Sequence, residues 1–533
     1  YTLTFGNEAG DEDLGKEEPL LFVRETSGLV RTIGPFSAIF IAIIGGGIRP
    51  FFFATPAMLM LTPGVDLTLL LLVVGIFVIA DGITTSLLQS SMPRSGGGYI
   101  SISRSLGPLW GTMEAYRAFI TNPLANAIQA YIAASTVGGI ISQIGYALSD
   151  PSLTATGKTL AASPWVTVSF TALFIFVAFI SDFFGPKFMS RWYTLGGILT
   201  IVGILLMWVT LAGITPANLQ QTWDTRWGAG AYNEIVTTAT TGGYTSVPIN
   251  WERMALTMAT PFALMGQYNT IIIAGEIEQP KKTLPIITMA AAVILITFYA
   301  GTAALVKNAF GDFAKMYGYV ATRPALAGTL VKNVAVSPNW AFYSMSVAAN
   351  PAIACWISIT PLLSLVAAFP QPGIWTSRNL FALAFDRMLP SFFTKVNRWH
   401  APTYCCIFYL ILSLIFTTMM TSWYWALTIS MFLTFLTVRL MWNLGGIAFA
   451  FVRPHLHERG LAWKIGGFPV IAISGLICAG FMWFALLTGA TLTTVIAWLF
   501  IYAAGMIGYA IASYVNARRG IDVSKIFGEL PPE

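Results

Sequence analysis

The chain alternates between long apolar runs and shorter polar connections. Twelve apolar segments stand out, near 33–60, 67–90, 108–144, 164–182, 193–213, 254–275, 286–308, 341–369, 403–421, 424–451, 469–488 and 492–515. Most approach or exceed the roughly 20 helical residues that cross the hydrocarbon core of a bilayer. Two polar connections are long, 214–253 and 309–340, and the rest are short. The pattern predicts an all-α polytopic membrane protein with twelve transmembrane helices. An acidic tail over 1–32 precedes a membrane domain over 33–516, and a short tail over 517–533 follows it.

Composition narrows the class. Of 533 residues, 56% are hydrophobic and only 10% charged, whereas soluble domains carry about 25% charged residues. Such a chain lacks the charge to clothe a water-facing surface. The net charge of +6 invites a nucleic-acid reading, but its distribution explains it otherwise. With twelve spans both termini share a side, and most lysines and arginines fall there, among them Arg94, Arg104, Lys281, Lys282, Arg378 and Arg387. The positive-inside rule then puts both termini in the cytoplasm and the chain in the cytoplasmic membrane, with the lipid bilayer as a partner and no nucleic acid. The tail acids (Glu8, Asp11, Glu12, Asp13, Glu17, Glu18) run directly into the first apolar segment, without the pattern of a cleavable signal. No nucleophile–base pair, phosphate-cradling loop or cofactor fingerprint is present, and the four cysteines lack metal-ligand spacing, so neither an enzyme nor a cofactor is expected.

Two segments carry interruptions that an anchor would not need. The first contains Gly45, Gly46 and Gly47, then Arg49-Pro50, and the sixth contains Pro261 and Gly266. Glycine lowers helix propensity and proline removes a backbone donor. Backbone groups freed in hydrocarbon must be satisfied by protein or a wet cavity. Matched broken helices in two halves of a chain point to a transporter's binding site. Ordinary kinks serving helix packing are the plainer reading.

Four stretches then resemble the amino acid–polyamine–organocation superfamily of permeases. They are Ile43-Ile44-Gly45-Gly46-Gly47-Ile48; Pro93-Arg94-Ser95-Gly96-Gly97-Gly98-Tyr99 with Ser103 to Pro108; Gly266 through Gly275-Glu276 to Pro285; and Ser377-Arg378-Asn379 through Asp386-Arg387 to Pro390. The resemblance implies a fold like that of the leucine transporter. Two inverted five-helix repeats (about 33–213 and 254–451) would have spans 1 and 6 unwound, with two extra helices at about 469–488 and 492–515. It further implies a permease for an amino acid or related small carboxylate, working by alternating access through a midplane site. The substrate carboxylate would meet free N–H groups near Ile43, Gly45, Gly46 and Gly47, where a helix N-terminus favours an anion. Its ammonium would meet carbonyls at Pro261, Phe262, Ala263 and Met265. Phe262 would take the place of the family's gating aromatic, with Tyr268 beside it. Asn122 and Asn126, one turn apart on one face, fall at substrate height, and either substrate contact or an interhelical hydrogen bond suits them.

Ionisable residues inside spans are costly and should face protein or water. Arg49 stands where relatives usually carry an aromatic or apolar residue. A clamp for a second carboxylate, an outer-gate ion pair and a surface-reaching charge all remain open for it. Glu114 and Arg117, at i and i+3, are close enough to form an ion pair or an inner-gate element. Asp81 and Arg439 have no evident partner. The coupling ion, proton or sodium, stays open. The family's lysine in span 5 is missing, Thr200 stands near its position, and Ser358, Thr360 and Ser364 offer hydroxyls to a sodium site. A second reading is a non-transporting receptor or scaffold subunit that keeps the permease fold.

Overall fold

The computed structural model describes residues 29–330, 338–528 and 530. The tail acids Glu8 to Glu18 lie outside them. Helices α1 (Pro35–Ile43) and α2 (Arg49–Leu61) form the first span, followed by α3 (Leu67–Ser91) and the short α4 (Gly97–Ser105). Next come α5 (Pro108–Leu148), α6 (Pro151–Ala162), α7 (Pro164–Phe183) and α8 (Gly185–Ala212). The long polar connections hold helices of their own: α9 (Pro216–Trp227) and α10 (Ala231–Thr241) in one, α14 (Phe313–Ala321) and α15 (Pro324–Ala327) in the other. Between them lie α11 (Trp251–Thr257), α12 (Ala259–Leu264) and α13 (Pro280–Phe310). The remainder are α16 (Trp340–Ser346), α17 (Pro351–Ala367), α18 (Pro370–Phe385), α19 (Thr403–Val452), α20 (Pro454–His457), α21 (Val470–Gly489), α22 (Leu492–Arg518) and α23 (Val523–Gly528).

Local chemistry sets many of these starts. Proline, which has no N–H to lose, opens α1, α5, α7, α13 and α17. Asp66 caps α3 by accepting from the Leu69 N–H at 3.2 Å, and Asn350 caps α17 by accepting from Ala352 at 2.8 Å.

Among the described residues, 11 stretches are long and apolar enough to cross a membrane. Two of them, Thr403–Met420 and Leu433–Val452, belong to the single element α19. The expected sixth span is not one of the 11, because it is broken into α11, α12 and two 3-10 turns, Asn269–Ile272 and Ala274–Glu276. Helix α5 packs against α7, α17, α18, α19 and α22 and so lies at the centre. Glycines permit the close approaches: a side chain at Gly203 would overlap Thr360, and one at Gly47 would overlap Leu295.

The first span corrects an expectation. It does not unwind. Ile44–Ile48 forms a five-residue π-helix that passes without a gap from α1 into α2. Pro50 cannot donate to a carbonyl one turn back, and a wider turn absorbs that defect while keeping the helix. The three glycines offer no side chain to obstruct it. The Gly47 carbonyl also accepts from the Tyr299 hydroxyl of α13.

The sixth span does break. Helix α12 ends at Leu264, and Met265 turns to an extended conformation (φ −82°, ψ 100°). Among the described residues, the N–H groups of Gly266, Gln267 and Tyr268 have no backbone partner. What holds the opened backbone is Arg439 of α19. It donates through Nη1 to the Phe262 carbonyl, and its guanidinium lies 3.7 Å from the centre of the Phe262 ring. Asp81 of α3 holds that guanidinium, accepting from Nη2 at 2.6 Å and from Nε at 3.2 Å. Asn443 and Gln267 also donate to Asp81, at 2.7 and 2.9 Å. The two ionisable residues that sequence left unpartnered are therefore each other's partners, and both are wholly buried.

Removing one member of such a pair strands a buried charge. Asp81→Asn or Arg439→Gln should each cost about 3–5 kcal/mol, read as a lowered melting temperature of the purified protein. The double variant should recover part of the loss. Gly47→Leu should destabilise by about 1–3 kcal/mol through overpacking against Leu295, seen in the same thermal assay.

Candidate functional site

The two interruptions touch. A Cβ placed on Gly266 would sit 3.1 Å from the backbone of Gly46. The Asn269 side chain fills the space over the first-span glycines, where a side chain at Gly46 would overlap it. Its amide nitrogen donates to the Gly266 carbonyl, and its Oδ1 accepts from Trp375 Nε1 at 3.2 Å and Gln371 Nε2 at 3.4 Å. Asn269 was missing from the sequence reading. The available signal was an amide three residues beyond the glycine of a broken, otherwise apolar segment.

This arrangement redistributes the expected roles. Ile43 closes α1, and Gly45, Gly46 and Gly47 remain inside a helix, so they present no opened helix N-terminus. The freed N–H groups lie instead on the sixth span, at Gly266 to Tyr268. Of the carbonyls expected to receive an ammonium, that of Phe262 is already occupied by Arg439. Those of Ala263 and Met265 accept no side-chain donor among the described residues. The Phe262 ring is fully buried and packs edge-on to Phe481, with centroids 4.9 Å apart. Tyr268 is the aromatic nearer the amides and charges. It packs edge-on to Trp442 at 5.0 Å and to Trp375 at 6.1 Å, beneath the Arg439 guanidinium at 4.9 Å.

One face of α5 turns polar at this level. Asn122 and Asn126 are buried, and Gln129 continues their face one turn further. Neither amide atom of Asn126 has a partner among the described residues, nor does Asn122 Nδ2. Gln129 donates to the Leu365 carbonyl at 3.0 Å and accepts, through Oε1, from the Arg49 guanidinium. Arg49 is partly exposed and is surrounded by Tyr193, Tyr268, Tyr299 and Tyr409. Among the described residues no carboxylate pairs with it.

The other candidates sit further out. Glu114 and Arg117 form a two-pronged pair within α5, both contacts 2.6 Å, and Arg117 also donates to Thr121 at 2.8 Å. Ser358, Thr360 and Ser364 each donate to a carbonyl of their own helix, at 2.8, 2.7 and 2.7 Å. Hydroxyl lone pairs stay available to a cation there. Thr200 likewise donates to Gly196 in α8, at 2.7 Å.

Arg378 corrects the sequence reading, which placed it in a polar connection. It is fully buried in α18 and joins two carboxylates, Asp182 at the end of α7 and Glu276 after the sixth-span break (2.9 Å). The Ser95 hydroxyl reaches Glu276 at 3.3 Å, the Gly96 N–H donates to the Ile272 carbonyl at 2.8 Å, and Thr32 and Ile33 both donate to the Glu276 carbonyl at 3.0 Å. These contacts close one end of the bundle around Glu276. Near the other end of α3, a cavity of about 330 Å³ is lined by Asp66, Lys307, Asp312, Lys315 and Trp340. Burial would raise the Asp66 carboxyl there, but hydrogen bonds from Lys307 (2.7 Å) and the Leu69 N–H outweigh it and hold it below its usual value.

Comparison with known proteins agrees with this architecture. An amino acid permease family model matches residues 33–512. Among curated relatives, the dicarboxylic amino acid permease of Saccharomyces cerevisiae is 26% identical over 255 residues, 45% of this chain and 37% of that protein. A probable polyamine transporter of Arabidopsis thaliana is 24% identical over 333 residues, 62% of this chain and 56% of that protein. The chain thus aligns with between a third and three-fifths of those relatives' length. The family match spans nearly all the apolar helices, and both relatives are named as carriers of small molecules, not enzymes. This chain belongs to the amino acid permease family, within the amino acid–polyamine–organocation superfamily, and is a multi-pass membrane protein.

Proposed function

We propose that the protein is a secondary transporter that moves an amino acid or related small carboxylate by alternating access. The distribution of basic residues supports a place in the cytoplasmic membrane with both termini inside. The observation that carries the reading is the broken sixth span, with three unpaired backbone N–H groups, set directly against the π-helix of the first. Such groups suit a substrate carboxylate, because backbone donors aimed at one point bind anions without a mobile side chain. Asn122 and Asn126 supply further polar contacts from α5. In this reading Tyr268, backed by Trp375 and Trp442, closes over the solute. The contacts around Glu276 keep one end shut while the other exchanges solute. The span arrangement expected of the family, two inverted repeats with two added helices, accommodates these features. The receptor or scaffold reading gains no support from relatives that are named as carriers.

Uptake of radiolabelled amino acids and small carboxylates into proteoliposomes tests the function. Saturable, competable accumulation of at least one is expected, and none across the panel would refute the proposal. Asn126→Leu should raise the KM of the carried solute about tenfold, the worth of a hydrogen bond to a charged group. Kinetics of that uptake at matched protein density would show it, and an unchanged KM would remove Asn126 from the site.

A further inference from the structure

Arginine in the interior of a membrane protein is costly unless its charge is balanced. Four guanidinium groups of this bundle obey that rule, and all four are almost wholly buried. Arg104 pairs with Asp386 at 2.6 Å, Arg117 with Glu114 at 2.6 Å, Arg439 with Asp81 at 2.6 Å, and Arg378 with Asp182 and Glu276. Arg49 is the exception. Among the described residues, its single hydrogen-bonding partner is the neutral amide of Gln129, which satisfies a donor and leaves the charge. Among the described residues, the phenols of Tyr193, Tyr299, Tyr268 and Tyr409 interact electrostatically with it. The residue is partly exposed.

The rest of the site leans the same way. The Phe262 carbonyl is filled by a second guanidinium, that of Arg439, so one acceptor that would draw a cation into the sixth-span break is lost. Among the described residues, the open groups at the break include three donors, the N–H groups of Gly266, Gln267 and Tyr268, beside the carbonyls of Ala263 and Met265. Tyr268 lies within electrostatic reach of the paired charges Arg439 and Asp81, and of Arg117 and Arg49. A neutral zwitterion would leave the Arg49 charge unbalanced, and a polyamine would add to it.

Building on the permease reading, we infer that the solute carries a net negative charge: an acidic amino acid or a small dicarboxylate. One carboxylate meets the sixth-span N–H groups. The second displaces Gln129 and forms a two-pronged contact with Arg49, a geometry that guanidinium and carboxylate share. Arg49 is then the residue that sets selectivity by charge, and the Gln129 amide is the neutral partner that the carboxylate replaces.

The test uses the full-length chain, purified and reconstituted. Three probe sets are offered, as competitors of uptake and as ligands in a thermal-shift assay: L-glutamate, L-aspartate and succinate; L-alanine and L-leucine; L-lysine and spermidine. The acidic set should bind and be carried in preference to the other two. Arg49→Gln should weaken the acidic probes by about 10- to 100-fold, the range of a charge-assisted contact, and Arg49→Lys should fall between. Gln129→Leu, which removes the competing amide, should leave acidic affinity equal or higher. Preference of the wild-type protein for neutral or cationic probes would overturn the inference, whatever the variants do. So would unchanged acidic affinity in a monodisperse Arg49→Gln protein. Carriage of neutral solutes alone would sink this inference and spare the permease reading, whereas no carriage and no binding of any probe would sink both.

Discussion

Inside a bilayer, a backbone N–H or C=O has no water to fall back on, and this constraint organises the whole molecule. Continuous helices meet it without help, which is why apolar runs here become helices. Wherever the helix fails, something else must supply the missing bond. The first span keeps its bonds by widening to a π-helix at Ile44–Ile48, with the Tyr299 hydroxyl on the Gly47 carbonyl. The sixth abandons them between Leu264 and Asn269, and other elements must intervene: Arg439 at the Phe262 carbonyl, Asn269 at that of Gly266. Among the described residues, the N–H groups of Gly266 to Tyr268 and the carbonyls of Ala263 and Met265 stay unpaired at the break.

Ion pairs do the rest of the fastening. Each joins elements distant in sequence or stiffens one face of a helix. Asp81–Arg439 ties α3 to α19 across the break, and Asp182–Arg378–Glu276 ties α7, α18 and the segment after the break into one closed end. Buried pairs are poor sources of net stability, since desolvation offsets attraction. Their value here is positional: a guanidinium with five donors can hold a bare carbonyl and a carboxylate at once. The same chemistry makes Arg49, which pairs with no carboxylate among the described residues, conspicuous, and it is the ground on which we infer that Arg49 sets selectivity by charge.

Much of this was open to reading in the chain itself. Apolar runs of span length, sparse charge and the interrupted first and sixth segments predicted a polytopic membrane protein with paired irregularities, and the four motif stretches predicted the permease family. Those features are local or periodic, and a linear string records them. The sixth span shows the limit. Hydropathy over 254–275 could count it as a span, but could not say that it would cross in pieces. Nor could composition tell an unwound glycine stretch from a π-helix, because both relieve the same proline defect, and the neighbours Tyr299 and Leu295 bear on which one forms.

What the sequence determined alone was the class of molecule and the places where its helices would falter, since lipid imposes those rules on each segment separately. What only tertiary structure decided was the pairing of charges. Asp81 and Arg439 stand 358 positions apart, and Arg378 looked like a connection residue until α7 and the sixth-span segment enclosed it. Charge partners are chosen by which helix faces meet, and that choice is made by packing across the whole bundle.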